Sequence, residues 1–189
     1  MKRLVLVMVA AALIFPAVSQ QTKPKQRTSG KNRTVILESD GGSFSIEGPK
    51  DWIADRKVGH RLGVCCIFYR KGSWDTTETI MYPNIVTKGP GRKTLQEVMD
   101  SDLASFRKDN PGMTYVDGDM PFKDRTAKVR YFHGVNQGSS EAVAYIEEEK
   151  IVALVVLSSR TEEGLTKALP LLLGTLETYV YGAKAVSVN

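Results

Sequence analysis

The chain has little of the residue types that build metal sites. Its 189 residues include only two histidines, His60 and His133, and only two cysteines, the adjacent pair Cys65 and Cys66. Neither a C-x-x-C nor an H-x-x-x-H spacing therefore occurs. Zinc takes about four ligands at recognisable spacings. The sequence predicts no bound metal and no cofactor.

Motifs for nucleophilic and phosphate chemistry are also missing. No G-x-S-x-G elbow occurs, and the glycine-rich stretch "TKGPGRKT" (residues 87–94) does not have the G-x-x-x-x-G-K-[ST] spacing of a phosphate loop. That stretch leads into a helical pattern, so Arg92 and Lys93 are candidates for binding an anion at a helix N-terminus. We expect no enzymatic activity.

Only one long hydrophobic run is present, and it lies at the start of the chain. Lys2 and Arg3 precede an unbroken apolar run over residues 4–15, and small residues lead to a cut after Ser19. This is the layout of a secretory signal peptide, and the run is shorter than the ~20 residues of a spanning helix. We expect residues 1–19 to be removed, leaving an exported protein, periplasmic or extracellular, without a transmembrane segment.

Basic residues are concentrated before the folded part of the chain. Of 26 basic residues, seven precede residue 34, which leaves 19 against all 21 acidic residues in 34–189. The domain is therefore near neutral, and the high pI gives no reason to expect nucleic-acid binding. Residues 20–33 are polar and lack apolar periodicity, so they predict a disordered basic linker. Weak contact of residues 21–33 with lipid or a cell-wall polymer is one interpretation of this charge.

The adjacent cysteines permit several interpretations. The run "VCCIFY" (residues 64–69) predicts a strand that is apolar on both faces, with Cys65 and Cys66 pointing to opposite faces. The pair then consists of two buried thiols acting as small hydrophobic residues. The alternatives are a strained vicinal disulfide, which would be readily reduced, and intermolecular pairing or metal binding.

Residues 34–182 form one domain's worth of sequence, and residues 183–189 form a short C-terminal tail. A hairpin is predicted over 34–47 and a capped amphipathic helix after Thr94. Continuous apolar "IVALVVL" (151–157) predicts a central strand, paired with 142–146, and a last helix contains Pro170. Two helices and a mainly antiparallel sheet predict an α+β fold, an α/β/α sandwich with a helix on each side of the sheet.

Aromatic residues in and beside a polar loop are candidates for contact with a partner. Trp74 lies within "YRKGSWDTTE" (69–78), where it either covers one end of the sheet or anchors a partner. Interface hot spots favour Trp, Tyr and Arg. Tyr69, Arg70 and Tyr82 border the same predicted end and complete this candidate site.

Two stretches resemble the PsbP-like superfamily, which includes bacterial secreted proteins of the DcrB type. "FSIEGPKDW" (44–52) is similar to the family's F-x-I-x-x-P-x-x-W opening, and "TKALPLLLGTLETY" (166–179) is similar to its last helix, which often carries a proline. The resemblance covers roughly residues 43–180. It implies a PsbP-like sandwich and a binding or assembly-stabilising module without conserved enzyme machinery.

These observations favour an exported, non-enzymatic binding or complex-stabilising module of the cell envelope, whose partner is an envelope protein. The alternative is a thiol-dependent redox protein or hydrolase that uses Cys65 or Cys66, with His60 or His133 as the base for hydrolysis.

Overall fold

The computed structural model describes residues 25–27, 33–89, 93–135 and 138–183. No helix in these ranges is both long and apolar enough to cross a bilayer. The elements are the strands β1 Lys25–Arg27, β2 Thr34–Ser39, β3 Gly42–Glu47, β4 Trp52–Asp55, β5 Ile67–Arg70, β6 Thr79–Thr87, β7 Thr114–Phe122, β8 Arg125–Val135, β9 Ser139–Glu147, β10 Ile151–Ser159 and β11 Val180–Tyr181, and the helices α1 Arg56–Arg61, α2 Leu95–Asp109 and α3 Glu162–Leu176.

The strands form two antiparallel sheets. The larger has seven strands in the order β4-β5-β6-β10-β9-β8-β7, and the smaller has the order β1-β2-β3-β11. Alternate residues of β9 and β10 point to opposite faces of the larger sheet. One face packs against α3 and the smaller sheet, and the other packs against α2. The predicted α+β fold, with a helix on each side of a mainly antiparallel sheet, is confirmed.

Strand β10 lies at the centre of the larger sheet, and its apolar stretch 151–157 is buried throughout. It pairs with β9 over eight residue pairs and with β6 over nine. The predicted central strand and its pairing with 142–146 are therefore confirmed, as is the hairpin of β2 and β3, in which Ser39 lies opposite Gly42.

Helix α2 begins at the predicted cap. Thr94 Oγ1 accepts from the Glu97 N–H, and the Glu97 carboxylate accepts from the Thr94 N–H at 2.7 Å. Helix α3 is capped by Thr161, whose Oγ1 accepts from the Gly164 N–H. Pro170 lies inside α3, which continues to Leu176.

Three differences from the sequence predictions concern strands. The strand predicted over 64–69 begins at Ile67, because residues 62–65 form turns and bends after the unpredicted helix α1. Strand β7 was not predicted, since it is a partly exposed edge strand that contains Gly118 and Pro121. Part of the predicted linker forms β1, which pairs with β2 through backbone groups.

Proline within a strand is usually confined to an edge or a bulge, yet β6, which contains Pro83, lies inside the larger sheet. Pro83 is registered opposite Val155 of β10, whereas pairing with β5 is recorded only between Met81 and Phe68. The Pro83 carbonyl oxygen lies 3.5 Å from Cys65 Sγ. It therefore points toward the β5 side of β6, next to residues that precede the start of β5. The N–H that proline lacks would lie on that same side, and the β6–β10 ladder loses no hydrogen bond.

Candidate functional site

The two cysteines lie side by side, which corrects the prediction that they point to opposite faces of a strand. Cys65 Sγ is 3.7 Å from Cys66 Sγ, and no disulfide joins them. Cys66 is completely buried, whereas Cys65 is half-buried. Neither residue is in a regular strand, so the alternation of side chains that the prediction assumed does not apply to them.

Helix α1 produces this geometry. Its N-cap is Asp55, whose Oδ1 accepts from the Val58 N–H at 2.9 Å. The helix ends in a turn in which Gly63 has a φ of +78°, and the Val64 N–H donates to the Gly59 carbonyl. Gly59 then lies directly on Cys66, because a Cβ added there would be 2.5 Å from Cys66 Cα. Helix α1 therefore packs directly against the backbone of Cys66.

Three of the four aromatic-site candidates belong to one apolar cluster beside α1. The rings of Tyr69 and Trp74 are 5.1 Å apart, and half-buried Tyr82 packs against the same cluster. Arg70 is exposed, at the end of β5. Trp74 is half-buried and covers this end of the sheet, and partner binding by these four residues stays a prediction.

Tyr69 also ties the cluster to α1. Its hydroxyl donates to Asp55 Oδ2 at 2.8 Å, and burial together with this hydrogen bond raises the pKa of Tyr69 to about 12. Burial opposes ionisation of Asp55, but the hydrogen bonds from the Val58 N–H and the Tyr69 hydroxyl outweigh it and lower the Asp55 pKa. Asp55 is thus held as a carboxylate that caps a helix, which is a structural role.

The positions of the two anion-binding candidates give little evidence on whether an anion binds there. Lys93 is exposed next to the cap of α2, and Arg92 lies outside the described residues. The first turn of α2 already carries the Glu97 carboxylate, which the Thr94 N–H binds. Anion binding here stays a prediction.

The histidines lie on different elements. His60 is exposed in α1, and half-buried His133 on β8 has its Nδ1 3.7 Å from Glu162 Oε1. Within the described ranges, no three His, Cys, Asp or Glu residues are grouped as metal ligands.

A buried polar cluster beneath α2 was missed from the sequence. Asp102 of α2 is buried and accepts a hydrogen bond from the Tyr145 hydroxyl. Burial raises the pKa of Asp102 to about 6, despite the opposing effects of Tyr145 and Arg130. The helical spacing does predict this burial. Asp102 follows Met99 by three residues and precedes Phe106 by four, so it lies on the apolar stripe of α2.

Arg130 completes this cluster and connects α2 to the larger sheet. It is 2% exposed, and its guanidinium donates to the Met99 carbonyl of α2 at 2.8 Å. It also forms two hydrogen bonds with the Asp117 carboxylate of β7, at 2.6 and 2.9 Å. The Tyr115 ring covers the guanidinium at 4.7 Å. These contacts fix α2 against two strands, which is a structural role.

Exposed apolar residues are concentrated near the end of the domain. Of the five large hydrophobic side chains that are exposed in the described ranges, four lie between residues 171 and 181: Leu171, Leu173, Val180 and Tyr181. Two of these, Leu171 and Leu173, are on the second half of α3. Such clustering is more informative than scattered exposed hydrophobic residues.

A groove borders this part of α3, and we call it the α3 groove. It has a volume of about 200 Å³ and lies between α3 and two chain segments, one just before β2 and the other at the end of β3. Arg33 and Glu47 form an ion pair of 2.6 Å at its rim. The lining residues are Arg33, Glu47, Gly48, Pro49, Lys50, Pro170, Leu171, Gly174 and Thr178. A groove lined by both apolar and charged residues suits a binding surface.

Comparison with known proteins gives structural matches only. Neither a protein-family model nor a curated protein sequence matches the chain. The solution structure of cyanobacterial PsbP (CyanoP) from Synechocystis sp. PCC 6803 is 13% identical, with 84% of this chain and 92% of that chain covered and a TM-score of 0.45. The crystal structure of LpqN, involved in cell envelope biogenesis of Mycobacterium tuberculosis, is 12% identical, with 85% and 91% covered and a TM-score of 0.51.

At these identities the likeness concerns the fold. The resemblance predicted from Phe44, Ile46, Pro49, Trp52 and Pro170 is confirmed at that level. Phe44, Ile46 and Trp52 are buried in the core that α3 covers, as packing residues of a fold are expected to be. The chain has the PsbP-like fold.

Proposed function

We propose that this protein is an exported, non-enzymatic binding module of the cell envelope, and that it binds an envelope protein through the α3 groove. The partner places an apolar side chain over Leu171 and Pro170, with an acidic group facing Lys50.

The α3 groove with its exposed apolar residues is the observation that carries this proposal. Leu171 is 38% exposed at the groove, and Leu173 is 36% exposed on the same helix. Arg33 at the rim is paired with Glu47, whereas the described residues supply no acidic partner for exposed Lys50. An apolar centre with an unmatched positive charge at its edge favours a protein surface that is apolar and acidic.

Two further observations support the envelope as the location. The first 19 residues have the layout of a secretory signal peptide. LpqN, which shares the fold, is described as involved in cell envelope biogenesis.

Site-specific photo-crosslinking in cells of the source organism tests the proposal. A photoreactive amino acid would replace either Leu171 or Lys50, which line the groove from two distant parts of the chain. Both positions are expected to crosslink to the same envelope protein. The matched control is Lys167, an exposed residue of α3 that does not line the groove.

Equal crosslinking from positions 171 and 167, or different products from positions 171 and 50, would contradict binding at the groove. Lys50→Glu should reduce the crosslink from position 171 because it places a negative charge opposite the partner's acidic group. Turnover of a substrate by the purified chain alone would contradict the non-enzymatic part of the proposal.

A further inference from the structure

We propose that Cys65 and Cys66 form a site of reversible oxidation, in which Cys65 reacts with an external disulfide and Cys66 then closes a vicinal disulfide. This inference is independent of the α3 groove. It rests on the distance between the sulfurs, on their unequal burial and on the backbone that holds them.

The distance is the first observation. In an extended strand adjacent side chains point in opposite directions, and their sulfur atoms do not approach each other. Here the bend before β5 places both side chains on one side of the backbone, with Sγ atoms 3.7 Å apart. Reacting atoms in a near-attack geometry are about 3–3.5 Å apart. A small rotation of either side chain therefore brings one sulfur within reach of the other.

Unequal burial assigns the two roles. Cys66 is 0% exposed, so an external disulfide has no access to it in the folded protein. Cys65 is half-buried, and its thiol lies 3.5 Å from the Pro83 carbonyl oxygen at the open side of β6. Cys65 is therefore the thiol that reacts first, and Cys66 is the one that resolves the intermediate.

The chemistry balances with a disulfide as the oxidant. The Cys65 thiolate attacks one sulfur of the oxidant and forms a mixed disulfide, and the other sulfur leaves as a thiolate. The Cys66 thiolate then attacks Cys65 Sγ, which forms the Cys65–Cys66 bond and releases the second half of the oxidant as a thiolate. The two protein thiols lose two protons and two electrons, and the oxidant is reduced to two thiols.

The product is expected to be labile. Adjacent Cα atoms are about 3.8 Å apart, below the ~4.4–6.8 Å that unstrained disulfides span. Strained disulfides have higher reduction potentials and are more easily reduced than structural ones. Export, as predicted from the first 19 residues, would place the pair in a compartment where disulfides form.

Mass spectrometry of the native chain after treatment with oxidised glutathione tests the proposal. Denaturation in N-ethylmaleimide labels the remaining thiols, and cleavage after Arg61 and Arg70 releases both cysteines in one peptide. For the unsubstituted chain we expect that peptide two hydrogens lighter than the dithiol, without label and without glutathione. Dithiothreitol before labelling should restore two labelled thiols.

Single substitutions test the two roles. Cys66→Ser should stop the reaction at the first step and leave glutathione attached to Cys65, and Cys66→Ala is a second variant in case a buried hydroxyl impairs folding. Cys65→Ser should leave Cys66 without glutathione until denaturant is added. Circular dichroism identifies any variant that has not folded.

Three results would overturn the inference. The first is two labelled thiols in the treated, folded, unsubstituted chain, and the second is a stable glutathione adduct on that chain. The third is equal reaction of folded Cys65→Ser and Cys66→Ser, which would show that burial does not order the two steps.

Discussion

At the scale of single residues, Asp102 shows how one polar side chain modifies an otherwise apolar interface. It lies between α2 and the larger sheet, where the Tyr145 hydroxyl donates to its carboxylate. Desolvation disfavours the charged form, and the pKa of about 6 follows from that burial. The carboxylate therefore changes charge within the range of ordinary experimental pH.

We predict that Asp102 makes the domain more stable at pH 5 than at pH 8. Its folded-state pKa is raised above the ordinary value of 3.8, so its contribution is fully present below about pH 4 and is lost as the pH rises through about 6. The full loss, from about pH 3 to pH 8, is of the order of 3 kcal/mol at about 1.4 kcal/mol per pKa unit, and about half of it, roughly 1.4 kcal/mol, falls between pH 5 and pH 8. Denaturant unfolding at both pH values measures it.

Asp102→Asn should largely remove this difference, because the amide oxygen still accepts from Tyr145 but carries no charge. Asp100→Asn, at an exposed position of the same helix, is the control and should retain the difference. Equal pH dependence of the free energy of unfolding in Asp102→Asn and in the unsubstituted chain would contradict the assignment to Asp102.

At the scale of elements, the six-residue helix α1 decides where β5 begins. Its buried residue Gly59 contacts the backbone of Cys66, and the turn at Gly63 then leads the chain back toward the strand. Without the helix, "VCCIFY" would be free to form the longer strand that its apolar character predicts. One close contact between two backbones therefore determines the surroundings of both thiols.

Gly59→Ala is expected to lower the free energy of unfolding by about 1–3 kcal/mol, the usual cost of overpacking a well-packed site. The new Cβ would lie 2.5 Å from Cys66 Cα and 2.8 Å from its nitrogen, and these backbone atoms move only if α1 shifts. Chemical denaturation monitored by circular dichroism gives the value.

Gly174→Ala provides the matched comparison. Gly174 is also helical, in α3, but apart from the adjacent backbone of its own helix no atom lies within 4 Å of a Cβ added there. The substitution should stabilise the domain by about 0.5–1 kcal/mol through the higher helix propensity of alanine. A loss of stability in Gly174→Ala as large as that in Gly59→Ala would show that contact with Cys66 is not the cause.

Elements with strong local patterns were predictable from the sequence, and those fixed by tertiary contacts were not. The capping box at Thr94 and the continuous apolar run of β10 both correspond to observed elements. Helix α1 was missed because "RKVGHR" is short, contains a glycine and has no apolar stripe. Strand β7 was missed because Gly118 and Pro121 interrupt its pattern, and its pairing with β8 is what makes it a strand.

At the scale of the whole molecule, the two sheets and α3 share one core. Buried residues of β2 and β3 belong to the same apolar cluster as those of α3 and β10. The core that α2 covers is formed by the opposite face of the larger sheet. The described residues from 33 onwards therefore contain the complete set of layers, whereas β1 adds three residues that pair with the edge of β2.

We predict that residues 33–183 fold alone and unfold in one cooperative transition. The midpoint should lie within about 4 °C of that of residues 20–189, because a difference near 1 kcal/mol corresponds to about 2–4 °C at this size. Differential scanning calorimetry of both chains provides the comparison. A much lower midpoint, or two transitions, would show that the N-terminal segment is part of the cooperative unit.

The sequence predicted the fold better than the binding surface. The α3 groove joins residues near 33–50 to residues near 170–178, and no local motif links segments so far apart. The proximity of the two sulfurs was unpredictable for a similar reason, because it depends on a turn after a helix that the pattern does not reveal. The Tyr69 and Trp74 rings, in contrast, lie 5.1 Å apart because the two residues are separated by only five positions across one turn.

Pro83 lies at the point where the pairing between β5 and β6 of the larger sheet ends. Beyond Met81, β6 has no paired strand on its β5 side among the described residues, although β6 is an internal strand and Pro83 is buried. Any other amino acid at this position would bring an amide hydrogen to the side of β6 where the pairing with β5 has ended, and a buried donor left unsatisfied is costly. Proline is the one residue type that brings no such hydrogen. A residue that usually disrupts sheets therefore suits the point at which the hydrogen bonding between β5 and β6 ends, because it leaves no unsatisfied N–H group there.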